Sequence, residues 1–433
     1  MIIRASLLDT PSPGNLRHYE DGVIIIDEHG VIAAAGASSD LLSETLLEQH
    51  DVFEAPADSR LLCVPGLIDI HTHLPQYPVV ARREDALLPW LERHIFPTEL
   101  DFQGPGQRSL IEAFFEELAA NGTTTVVLYS AVWEDSTALA FEVAAEKGVR
   151  AVIGKIMMDE GSYGEPHPLK ARRKSLEETT RLAKEWHGAN KGLLDYAVSP
   201  RFAVTCSIDL MKEAATVAKD FDCYIQTHLS ENDAEIEKVR ERFPDNANYT
   251  DVYREAGLLG EKTILGHAIH LSDPEIDLLA FSGARVAHCP TANFFLNSGL
   301  CPVHSLRSAG IPVGLGSDVA AGPELNLWQV MRSAIETQGV RRMLDDSIPG
   351  LTPADAIYLA TLGGASVLGK DKIIGSLDQG KEADLLLLDL NHILPLDGRF
   401  SGDLDPQDIA TTLVYRGGPQ ATVATFTRGR QMV

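Results

Sequence analysis

Helix-like stretches and short apolar runs take turns through the middle of this chain, and few folds accept that order. The helix-like stretches include Gln107 to Asn121, Asp135 to Lys147, Ser175 to Trp186, Ile208 to Lys219 and Glu231 to Arg242. Between them lie apolar or β-branched runs: Thr123 to Leu128, Ala151 to Ile156, Leu193 to Val198, Tyr224 to Thr227, Thr263 to Leu265, Arg285 to Ala287 and Ile311 to Leu315. An opening strand, with Leu67, Ile68 and Ile70 as its strand formers, precedes them. Alternation of this kind implies a parallel sheet. About eight βα units, spread over about three hundred residues, predict a closed (β/α)8 TIM-type barrel with its chemistry at the C-terminal ends of the strands. A doubly wound open sheet is the alternative. No glycine-rich dinucleotide fingerprint follows the first strand, so no nucleotide cofactor is expected.

The ends of the chain read differently. Residues 22–35 predict a hairpin around Asp27-Glu28-His29-Gly30. Short strands are predicted again only near the other end, at Ala383 to Leu388, Thr411 to Tyr415 and Ala421 to Phe426. A length of 433 residues exceeds the usual single domain. The expected organisation is a small composite β-sandwich domain from residues 1–64 and 370–433, and a barrel from residues 65–369.

A formal net charge of -25 sets this surface against phosphate backbones and anionic membranes, so neither nucleic acid nor a membrane is expected as a partner. Small neutral or cationic ligands fit better. Cys63, Cys206, Cys223, Cys289 and Cys301 are few, odd in number and not closely spaced, which reads as reduced thiols in a cytoplasmic protein. Met1 to Asp9 lacks the basic region and long apolar run of a signal peptide.

If the barrel is right, the residues that end its strands carry the chemistry. His71 and His73 stand two apart at the end of the first strand, a spacing that puts both side chains on one face. His228 ends the strand at Tyr224, His267 follows Thr263 to Gly266, and Asp318 follows Val313 to Ser317. Any one of them alone reads as a structural histidine or a turn aspartate. Together, at four strand ends, they point to a metal-capable site. Glu231 belongs with them because it opens a helix directly after the His228 strand. The later carboxylates Asp233, Glu235, Glu237 and Glu241 read as a wet helix face, His288 as a satisfied core histidine and His270 as local structure. His18, His29, His50, His187 and His392 are expected to be solvated.

These residues resemble those of the metal-dependent amidohydrolases and, within that superfamily, the guanine deaminases of its ATZ/TRZ-like branch. The resemblance covers nearly the whole length. It is carried by PGLIDIHTHLPQY at 65–77, LPWLERHIFPTE at 88–99, SPRF at 199–202, THLSEN at 227–232 and NYTDVY at 248–253. Further carriers are GHAIHLS at 266–272, AHCPTANFFLNSG at 287–299, GLGSDVAAG at 314–322 and ATLGGA at 360–365. Leu74 and the segment Val319 to Leu325 depart from the family's pattern.

The resemblance implies the barrel, the small β domain, one zinc ion per chain and a homodimer. It implies that His71, His73, His228 and Asp318 hold the metal with His267 beside it, and that Gln76, Arg201 and Phe202 contact the ring, bordered also by His73, His228, Glu231 and Asp318. Ferrous iron accepts the same ligands as zinc. The implied reaction is hydrolytic deamination of guanine to xanthine and ammonia, with Glu231 as proton shuttle, Asp318 as ligand and base, and His267 polarising the water or the tetrahedral intermediate. The alternative is a sister aminohydrolase acting on a pterin, another purine or a triazine. On the residues alone, Arg201 could instead make a structural ion pair and Phe202 could be core.

Overall fold

The computed structural model describes residues 1–394 and 405–432. Residues 395–404, inside the range 370–433 assigned above to the β domain, lie outside the described residues. Two compact units emerge: Met1–Asp69 with Glu116–Thr125 and the described residues from Asn326 onward, and Ile70–Phe115 with Val126–Leu325.

In the first unit a seven-stranded sheet takes its strands from both ends of the chain, in the order Arg430–Gln431, Thr422–Thr427, Leu385–Asp389, Leu61–Pro65, Ile2–Ser12, Asn15–Ile26, Ile32–Ala37. All of its neighbours are antiparallel except Ile2–Ser12 beside Leu61–Pro65. Side chains alternate across the strands, so Ile3 and Leu7, Leu385 and Leu387, and Ala424 and Phe426 meet in one core. The hairpin predicted over 22–35 forms, with its return strand at Ile32–Ala37.

The strand predicted at Thr411 to Tyr415 is instead the end of a helix, Pro406–Arg416. Its β-branched residues suggested a strand, but Asp405 accepts a hydrogen bond from the Gln407 amide and Pro406 stands at the first helical position. A cap and a preset φ outweigh weak strand propensity. Three more helices of this unit, Leu327–Leu344, Pro353–Ala360 and Leu362–Val367, have no counterpart among the sequence-based expectations.

The barrel strands run in chain order around the second sheet: Leu67–His73, Thr123–Tyr129, Arg150–Gly154, Leu194–Pro200, Tyr224–Leu229, Thr263–His267, Arg285–His288 and Val313–Leu315, with Ile156–Met157 added beside the fourth. Every residue of Leu67–His73, Thr123–Tyr129 and Leu194–Pro200 is buried, as expected of strands covered on both faces. The ring closes through the backbone. The Asp318 amide donates to the His71 carbonyl at 2.8 Å and the His73 amide donates to the Val319 carbonyl at 3.1 Å. The five cysteines are buried thiols. Among the described residues no helix is long and apolar enough to cross a membrane.

Candidate active site

Closure of the ring brings Asp318 beside His71 and His73. Their Nε2 atoms each stand 3.3 Å from Asp318 Oδ1. His228 Nε2 lies 3.2 Å from His73 Nε2. His71 fits because its neighbours on the barrel wall are glycines. A Cβ on Gly266 would meet His71 Cε1 at 2.8 Å, and one on Gly316 would meet His71 Cβ at 2.7 Å. Ser230, His267, Ala268 and Asp318 hold φ values of 48°, 71°, 49° and 50°, so backbone strain gathers at these strand ends.

The donor set fits a divalent ion. Ligands about 2.0–2.1 Å from a tetrahedral ion stand about 3.3 Å from one another, the spacing found here. The ligand atoms of His71, His73 and His228 lie within 4.8 Å of one another, as do those of His71, His267 and Asp318. His228 Nδ1 lies 2.6 Å from the Arg201 carbonyl, an acceptor only, so the proton sits on Nδ1 and the lone pair of Nε2 faces the cluster. Burial disfavours the charged form of two of these rings. It pushes His73 down to about 4 and His228 well below its ordinary value. Burial opposes the Asp318 charge, but the neighbouring His71 and His73 outweigh it and hold that carboxyl well below the usual range.

Beside the cluster is a cavity of about 370 Å³, bordered by Gln76, Arg201, Phe202, Glu231 and His267 among others. All nine residues expected to form the site therefore come together. His71 packs behind His73, their ring centroids 5.1 Å apart. Arg201 makes the ion pair that was the bland reading, with Glu99, and still borders the cavity. Phe202 is 4 % exposed and does the same. The unusual segment after Asp318 brings the small side chain of Ala321 to the wall.

Glu231 stands outside the helix it was expected to open. That helix is Asp233–Arg242, capped by Asn232. The Glu231 and Asn232 amides both donate to Glu235 Oε2, at 2.9 and 3.2 Å. Glu235, read above as solvated, is therefore fully buried, and its other oxygen accepts from the Tyr249 hydroxyl at 2.7 Å. The Asn232-x-x-Glu235 pattern is a capping box and was the available signal. The Glu231 carboxyl itself is pushed up to about 8, first by burial and then by the Asp318 charge, against a hydrogen bond from Ser298 of 3.1 Å. His267 Nε2 lies 3.4 Å from its other oxygen.

Other supporting residues escaped the sequence reading. Tyr129 stacks on His73 with centroids 4.5 Å apart. Asn293 Oδ1 lies 2.9 Å from His267 Nδ1. The Tyr253 hydroxyl donates to the His228 carbonyl at 2.6 Å and also receives the Ala203 amide at 3.2 Å. Tyr253→Phe should take this donor from the His228 carbonyl in the interior, while the Ala203 amide keeps the Tyr249 hydroxyl at 3.3 Å, and cost about 1–3 kcal/mol, read as a lower denaturant midpoint at unchanged slope. His288 is fully buried, and neither ring nitrogen has a hydrogen-bond partner among the described residues. His187 accepts the Tyr196 amide at 3.2 Å rather than lying in solvent.

Residues 62–431 match the amidohydrolase family model. Guanine deaminase of Rattus norvegicus is 35 % identical over 376 residues, 86 % of this chain and 82 % of the relative. Guanine deaminase of Escherichia coli is 34 % identical over 426 residues, 96 % and 92 % of the two chains. A crystal structure of guanine deaminase from C. acetobutylicum with guanine bound in its active site superposes with a TM-score of 0.91 at 27 % identity, covering 100 % of this chain and 99 % of the other.

Proposed function

The chain belongs to the amidohydrolase family, and from that premise we propose that it hydrolyses guanine to xanthine and ammonia. One observation carries this reading. A buried carboxyl group that keeps its proton near neutrality, Glu231, faces the same cavity as the His/Asp cluster and the Gln76–Arg201 edge.

In this reading His71, His73, His228 and Asp318 hold one divalent ion, zinc by our assignment, with ferrous iron accepting the same ligands. Bound there, the ion would lower the pKa of water from about 15.7 to about 7 and so supply a nucleophile at neutral pH. Asp318 takes the first proton from that water. Glu231 delivers its proton to the ring nitrogen N3 as C2 is attacked. It then takes the remaining proton of the added water and carries it to the amino group, which leaves as ammonia while the C2 carbonyl forms, and the proton held by Asp318 returns to Glu231. In net balance the two protons of water end on N3 and on the ammonia. His267, fixed by Asn293, polarises the water or the tetrahedral intermediate.

Gln76 and Arg201 read the ring edge, because an amide and a guanidinium offer complementary groups to a purine. Phe202 stacks on the ring face, and His73, His228 and Asp318 border the reacting carbon. The resemblance also supports a homodimer in the cytoplasm.

Ammonia release by the purified chain from guanine, adenine and a pterin tests the substrate. Guanine should be turned over fastest, giving xanthine and ammonia in equal amounts. An inert guanine with rapid turnover of the pterin would overturn the substrate and leave the chemistry standing.

A further inference from the structure

Behind the two edge-reading side chains lies one carboxylate. Glu99, on the helix Phe96–Asp101, is 0 % exposed. Its Oε1 accepts from Gln76 Nε2 at 2.9 Å, and its Oε2 pairs with Arg201 Nη1. Trp133 Nε1 donates to the Glu99 carbonyl at 3.1 Å, which anchors the backbone as well. We propose that Glu99 is a positioning residue that sets which hydrogen-bonding pattern the cavity accepts, selecting a purine with a carbonyl at position 6 over one with an amino group there. The proposal rests on the reading of guanine as substrate and goes beyond it to how the ring is chosen.

A glutamine side chain has a donor end and an acceptor end, and it can turn over. Here it cannot. Gln76 Nε2 faces a carboxylate, which only accepts, and Gln76 Oε1 receives the Ala320 amide at 3.2 Å. Turned over, the amide would set oxygen against carboxylate and N–H against N–H. Glu99 therefore decides which end of Gln76 faces which wall.

Arg201 is fixed from two directions. Glu99 takes one of its nitrogens, and its guanidinium lies over the Phe96 ring at 5.0 Å. A guanidinium has donors only, so whatever meets its remaining N–H groups must bring acceptors. The 6-oxo edge of guanine brings them. A 6-amino edge presents a donor to a donor, and buried donors left unpaired reject a ring strongly. The Glu99 charge also neutralises Arg201, which would otherwise be an uncompensated cation in a site it shares with other buried groups.

Steady-state kinetics on guanine and 2,6-diaminopurine, which share the 2-amino group and differ at position 6, test this. The wild-type chain should prefer guanine by about 10²-fold or more in kcat/KM. Glu99→Asp keeps the charge beside Arg201 but draws the carboxylate back by one methylene. It should raise KM for guanine about 10-fold or more, change kcat by less than about 3-fold, and cut the preference about 10-fold or more. Gln76→Met leaves the Glu99–Arg201 pair in place and should cut the preference in the same direction. Unchanged KM and preference in either variant would overturn the proposal, as would an equal loss on both purines through kcat. A wild-type chain without guanine turnover would overturn the substrate reading and this proposal together, whereas an active wild type with an indifferent Glu99→Asp overturns this one alone.

Discussion

Glu231→Gln is expected to lower kcat about 10²–10⁴-fold while the amount of bound ion stays the same. The substitution keeps the shape of the side chain and its reach to Ser298 and His267. It keeps the backbone as well, because the amides of residues 231 and 232 are held by Glu235 and not by the residue 231 side chain. What disappears is a proton that can be given to the ring and recovered. Ring binding and ion binding should therefore survive, and turnover should not. Rate measurements alongside metal analysis separate the roles: loss of the ion together with activity would make residue 231 a ligand and remove it as the shuttle.

His228→Ala should have the larger effect, about 10⁴-fold or more, with loss of the ion. The reason is arithmetic. An ion that shifts the pKa of water from about 15.7 to about 7 raises the supply of hydroxide by about eight decades, and no other group in the cavity replaces it. The imidazole is also poorly replaceable, since its Nδ1 proton is committed to the Arg201 carbonyl and its Nε2 is held 3.2 Å from His73 Nε2. Atomic absorption on the purified variant should find less than one ion per chain, and added zinc should not restore the rate. Full ion occupancy with full activity would remove His228 from the ligand set.

The strand-ending residues were legible because strand periodicity and barrel order are local properties. His71 and His73 share a face by spacing alone, and the strands at Tyr224, Thr263 and Val313 announced themselves by apolar runs that lead to His228, His267 and Asp318. Glu99 was illegible for the opposite reason. It ends one of the segments that carry the family resemblance, but nothing local marks its role, and its partner Arg201 lies 102 residues away in sequence. Glu235 looked like one of four solvated carboxylates until Tyr249, 14 residues on, supplied the donor that lets it lie buried. Local charge patterning could not tell it from Glu237, which is exposed. The misread strand at Thr411 to Tyr415 shows the same limit from the other side: composition named the residues, but the cap at Asp405 and Pro406 chose the helix.

Adding zinc back to the chelated, ion-free chain in measured steps, while recording bound ion and xanthine formation from guanine, tests the convergence of these residues most directly. Activity and bound ion should rise together from background and level off at about one ion per chain. Full activity before any ion is bound, or an ion that binds in full without restoring activity, would contradict it.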